Sequence, residues 1–97
     1  MTIRYTRRAV ADLAGIADHI RARDPAAALR VRTAILDSIR TLILFPRAGR
    51  RQSVAGVRKL VTRKYPYLVY YSVDGANGDI VILAIRHPAR RREHEDG

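Results

Sequence analysis

Few side chains in this 97-residue sequence suit chemistry near neutral pH, and most of those that do lie after Val57. His87 follows an unbroken apolar run, Ile80 to Ile85, and imidazole is the side chain whose ordinary titration falls between about pH 5 and 8. Tyr65 and Tyr67 precede that run and can stack on a flat ligand or pass a proton. Arg58, Arg63, Lys64, Arg86 and Arg90 supply cations suited to an anion. Each has a plainer reading as well. His87, ending a buried strand, can simply hydrogen-bond a neighbouring carbonyl. Tyr70 and Tyr71 alternate across a strand, so one belongs to the core and the other faces solvent or a partner. Tyr65 before Pro66 fits an extended kink. The Arg90-Arg91-Arg92 run reads as a solvated tail whose field Glu93, Glu95 and Asp96 partly cancel. No metal site is expected, because there are no cysteines and His94, His19 and His87 are widely spaced. No cofactor is expected either.

The elements that must position these residues follow from periodicity. Val57 to Val61, Leu68 to Val73 and Ile80 to Ile85 are strand-like, punctuated by Pro66 and by Asp74-Gly75-Ala76-Asn77-Gly78. That last segment tolerates positive φ and can reverse the chain into an antiparallel pair. The run Ile80 to Ile85 is too short for an independent helix and reads as a strand buried on both faces. Upstream, Thr2 to Tyr5 predicts a short strand, and Thr6 an N-cap. Ala9, Leu13, Ile16 and Ile20, with Val10 and Ala17, form the apolar stripe of a helix over roughly residues 6–23. Asp24-Pro25 starts a second helix, with Ala28, Val31, Ile35, Ile39 and Leu42 on its inner face and Leu29, Leu36 and Ile43 widening it, ended by Phe45-Pro46. The segment 47–56 is a loop, and its arginines are read first as solubilising.

Composition limits the classes. A chain of 97 residues forms one domain, and 47% hydrophobic residues exclude general disorder despite a formal charge of +10. Absent cysteines exclude a disulfide framework and fit a reducing cytoplasm. No apolar run reaches membrane-span length and the start lacks a signal-peptide core, so a cytoplasmic protein with no membrane partner is expected. The charge calls for an acidic counterpart. The expected architecture is α+β, β-α-α-β-β-β, with the helical hairpin on one face of a small, mainly antiparallel sheet. The domain spans 1–90, and 91–97 form a charged, flexible tail.

This order, with Phe45-Pro46-x-x-Gly49, Gly56-Val57-Arg58-Lys59-Leu60, Tyr65-Pro66-Tyr67-Leu68-Val69-Tyr70-Tyr71 and Ile80 to Arg90, resembles the RelE/ParE superfamily of bacterial toxins over about residues 3–90. The resemblance implies a toxin neutralised by a cognate antitoxin, acidic and partly disordered when free. It offers two mechanisms. RelE-like members cut messenger RNA on the ribosome; ParE-like members bind DNA gyrase and block it. For cleavage, 2′-OH attack on phosphate needs proton acceptors, donors and cations, and His87, Tyr65, Tyr67, Arg58, Arg63 and Arg90 are the candidates. The nuclease pattern places an arginine ahead of the apolar pair in the third strand, where this chain has Leu68, and leucine can neither donate a hydrogen bond nor hold charge. That departure and the long helical hairpin favour gyrase inhibition. Partner binding would then use Arg58, Arg63, Tyr67, Tyr70, Arg86, His87 and Arg90. A small basic nucleic-acid-binding module is a third class, lacking a zinc-finger pattern or a ribonucleoprotein strand motif.

Overall fold

The apolar run after the glycine-rich turn does become a strand that organises its neighbours. In the computed structural model, which describes residues 2–76 and 78–90, the chain forms β1 (Ile3–Tyr5), α1 (Arg7–Arg21), α2 (Pro25–Arg40), β2 (Arg50–Arg51), β3 (Val57–Val61), β4 (Leu68–Val73) and β5 (Ile80–Arg86), with short 3-10 turns at Thr41–Ile43 and Pro88–Arg90. The tail 91–97 lies outside the described residues. Strand order is β1-β5-β4-β3-β2, antiparallel throughout except that β1 runs parallel to β5. Two helices pack against one side of this mixed sheet, as the α+β reading expects.

Local signals account for the helix starts. The Thr6 side chain accepts from the Ala9 N–H, and Asp24 accepts from Ala27 N–H with Pro25 directly after it. Helix α2 is shorter than its apolar pattern predicts. The Thr41 hydroxyl bonds the Ser38 carbonyl at 2.6 Å, and the last turn tightens into 3-10 geometry instead of continuing to Phe45. Ala28, Val31, Ile35, Ile39 and Leu42 are all buried, whereas Leu29, Ile43 and Val10, read from sequence as core, are 65%, 43% and 56% exposed. Residues at the margin of a stripe stay wet when no second layer lies beyond it.

The inner face of the sheet contributes Val69, Tyr71, Ile80, Ile82 and Ile85 to the core. Burying each such side chain contributes roughly 1.5 to 3 kcal/mol. β5 departs from the expectation of burial on both faces, because Val81 and Leu83 are only half-buried. Its unbroken apolar run has another cause. Tyr70 pairs with Ala84 but Tyr71 with Ile82, so Leu83 is an extra residue and the inward set shifts from Ile80 and Ile82 to Ile85. Side chains of the first helix and its cap satisfy the disturbed backbone: Thr6 Oγ1 donates to the Leu83 carbonyl at 3.0 Å, and Asp12 Oδ2 accepts from Ile85 N–H at 2.9 Å.

The loop 47–56 is more ordered than its composition predicts. Arg50 and Arg51 pair with Lys59 and Arg58 as β2. Beneath them Tyr71, fully buried, donates its hydroxyl to the Pro46 carbonyl and accepts from Gly49 N–H, both at 2.8 Å. A Cβ at Gly49 would lie 2.6 Å from Tyr71 Cε1, so no larger residue fits without displacement. The proline-x-x-glycine spacing is thus the footprint of one tyrosine on a turn. Burial pushes the Tyr71 hydroxyl above its ordinary pKa, opposed by the Gly49 hydrogen bond and by Arg58.

Candidate functional site

The strand register sorts the candidate residues by place. Val61, Leu68 and Arg86 stand in one cross-strand row, so Arg63, Lys64, Tyr65, Tyr67, Arg86 and His87 all gather near one end of the sheet. Arg58 sits three residues from Val61, about 10 Å along the strand, opposite Tyr71. Its guanidinium Nη1 donates to the Gly49 carbonyl at 2.8 Å and the Arg47 carbonyl at 3.3 Å, which makes it part of the turn beside Tyr71. Arg90 closes the final 3-10 turn, and its side chain lies outside the described residues.

Gathering at one end does not bring these side chains onto one surface. Side chains alternate across a strand, so with Tyr71 and Val69 inward, Leu68 and Tyr70 point to the face away from the helices. Across the strands that face carries the row Arg50, Lys59, Tyr70, Ala84. The Arg86 guanidinium lies over the Tyr70 ring, 5.7 Å from its centroid, and its buried Nε has no hydrogen-bond partner among the described residues. Directly opposite Arg86 stands Leu68, only 5% exposed. The tyrosine pair divides as alternation requires: Tyr71 is buried and Tyr70 half-exposed.

His87 belongs to the helix side. Its ring meets Tyr67 edge-on, 5.3 Å between centroids at 79°, beside a cavity of about 400 Å³ that Ile16, His19, Ile20 and Arg23 also line. His87 Nδ1 accepts from the Ala89 N–H at 3.0 Å, so its local partner is a backbone donor rather than a carbonyl. A neutral imidazole holding that bond keeps its proton on Nε2. His19 and His87, distant in sequence, share this cavity, yet among the described residues no three metal-binding side chains cluster.

The third place is a groove that sequence reading did not anticipate. About 770 Å³ in volume, it runs between α2 and the β3 edge. Arg30, Thr33, Ala34, Asp37 and Thr41 lie along one helical face as its floor and rim, and Phe45, Val61 and Tyr65 add apolar walls. Leu29, Phe45 and Val61 are 65%, 64% and 51% exposed. β2 covers only Arg58 and Lys59 of β3, which leaves Leu60 and Val61 without a strand partner on that side among the described residues. Arg63 and Lys64 line the end of the groove with Tyr65. Leu29 was the available sequence signal: an apolar residue slightly off the stripe of an otherwise well-formed helix.

The chain as a whole, rather than any one of these three places, has counterparts among known proteins. The family described as ParE toxin of type II toxin-antitoxin system, parDE, matches residues 3–92. Toxin RelE2 of Caulobacter vibrioides is 38% identical over 86 residues, covering 89% of this chain and 93% of that protein. Among solved structures, a chain of the chromosomal ParDE TA system from P. aeruginosa superposes with a TM-score of 0.78 at 33% identity, over 90% of this chain and 95% of that one. A chain of the toxin-antitoxin complex RelBE2 from Mycobacterium tuberculosis gives 0.65 at 27% identity, over 89% and 95%. The fold, the residues matched and these relatives place this chain in the ParE toxin family of type II toxin-antitoxin systems.

Proposed function

We propose that this toxin acts by binding rather than by cutting, with DNA gyrase as its target, and that a cognate antitoxin silences it. The observation that carries this reading is Leu68. A phosphodiester-cleaving surface built around Arg86 needs a second cation beside it to face the charge that develops on phosphorus. The cross-strand neighbour of Arg86 is instead a buried leucine. The division of candidates adds to this. His87 and Tyr67 face the helix side, Arg86 and Tyr70 the opposite face, and Arg58 is engaged by the Gly49 turn. A proton-transferring group must reach the atom it serves, to about 3 Å.

An inhibitor needs shape and charge, and the groove beside α2 supplies both. It also suits the antitoxin. An amphipathic segment, acidic and folding as it binds, would cover Leu29, Phe45 and Val61 and offset the cations at the rim. No helix among the described residues is long and apolar enough to cross a membrane.

The alternative, ribosome-dependent messenger cleavage, draws support from the Arg86–Tyr70 contact and the unpartnered Arg86 Nε. The test adds the purified toxin to a translating extract and maps message ends. Intact messages, with His87→Ala and Arg86→Ala indistinguishable from the parent, are expected. Codon-positioned cuts that vanish in either variant would replace binding with catalysis.

A further inference from the structure

Lys64 is the only non-glycine residue with positive φ among the described residues, at 68°. A side chain in the left-handed region is uncommon and is borne best by glycine, asparagine or aspartate. Lysine gains nothing locally from that conformation, because its ammonium cannot fold back onto the turn as a short amide or carboxylate does. The surrounding turn nevertheless holds it there. Thr62, 3% exposed, donates its hydroxyl to the Tyr65 carbonyl and accepts from Tyr67 N–H. Thr62 N–H reaches the Tyr67 carbonyl at 2.9 Å, and Arg63 N–H meets Ser38 Oγ on α2 at 3.4 Å. Residues held in such sparsely populated conformations cluster at ligand clamps and switch regions.

Its location indicates the use. Lys64 lines the groove between α2 and β3, where Arg30 and Arg63 are also present and Asp37 is the single carboxylate. Three cations against one anion leave an unbalanced positive rim around an apolar floor. We propose that Lys64 is a partner-reading residue: its ammonium, presented at the groove by the left-handed turn, pairs with a carboxylate flanking the apolar stripe of an antitoxin helix. The inference rests on the groove being the antitoxin's seat. A helix fits it because the floor follows one face of α2, with Thr33 and Ala34 small enough for a close approach.

The experiment measures affinity for the cognate antitoxin at low and high salt, together with thermal melting of each free variant. Lys64→Gly should melt at or above the parent temperature, since the turn loses its strain. It should bind about tenfold more weakly at low salt and show a shallower salt dependence. Lys64→Met should lose the same affinity without any gain in melting temperature. Arg4→Ala, on the far edge strand, should match the parent. A Lys64→Gly protein that binds like the parent with unchanged salt dependence overturns the role of Lys64, as does one that melts lower. Thr33→Trp separates the two claims, because it obstructs the groove floor from an exposed position. If the antitoxin binds Thr33→Trp as tightly as the parent, the groove itself is not the seat.

Discussion

Two corners of this protein use the same kinds of residue to opposite ends. At the turn after α2, Arg58, Gly49, Pro46 and Tyr71 satisfy one another's hydrogen bonds around a buried ring. At the hairpin between β3 and β4, Arg63 and Lys64 stand exposed beside an apolar groove, on a backbone held in a disfavoured conformation. An arginine in a basic toxin therefore carries no fixed meaning. Arg58, which resembles a phosphate ligand in sequence, is occupied by two carbonyls, whereas Lys64, named beside it among the candidate cations, lies exposed at the groove.

This contrast can be broken most forcefully at Gly49. Gly49→Ala places a methyl 2.6 Å from Tyr71 Cε1 and 3.0 Å from the Lys59 carbonyl, and should cost about 3 kcal/mol, read as a lowered midpoint in urea. Tyr71→Phe comes next. It leaves the buried Gly49 N–H and the Pro46 carbonyl without their partner and should cost about 2 kcal/mol. Antitoxin affinity, measured on the folded fraction, should stay at the parent value in both. Thr62→Ala tests the other corner. Losing two hydrogen bonds of the hairpin should cost roughly 1 kcal/mol and weaken antitoxin binding as the Lys64 turn loosens, an effect the Gly49 corner should not share.

Two pH effects sharpen the comparison. The Tyr71 pKa is raised in the folded protein by burial. Its contribution is therefore complete below the ordinary tyrosine value of about 10 and is lost as pH rises through the folded value. Alkaline melting should flatten in Tyr71→Phe. Asp79 runs the other way, its carboxyl lowered chiefly by the Thr2 N–H that ties the β1 strand to the end of the β4–β5 turn. That contribution is present above the ordinary carboxylate value of about 4 and disappears as pH falls through the folded value. Asp79 is solvent-facing, so Asp79→Asn should give the smallest change of the series, seen as slightly less loss of stability in acid.

Much of the fold was legible because local signals did not compete. Thr6 and Asp24-Pro25 started helices where capping chemistry predicts, the stripe from Ala28 to Leu42 is the buried face of α2 and its following turn, and Gly78 takes positive φ in the expected turn. What escaped is non-local. β1 pairs with β5 across 77 residues, from Ile3 to Ile80, and no pattern near Thr2 announces a parallel partner. The bulge at Leu83 made a one-sided strand read as a two-sided one. Leu29 and Ile43 looked like core because helical periodicity gives an angle, not the extent of what lies opposite. The site was less legible than the fold for the same reason: Tyr67, Tyr70, Arg86 and His87 are close in register, but the pleat sends them to different faces.

The most direct test titrates purified toxin into a DNA gyrase supercoiling reaction at fixed gyrase concentration. Binding without cutting predicts that supercoiling falls in proportion to the toxin-to-gyrase ratio, and that added antitoxin restores it. Full supercoiling at a large molar excess of folded toxin, alongside message cleavage by trace amounts of the same preparation in a translating extract, would contradict the account.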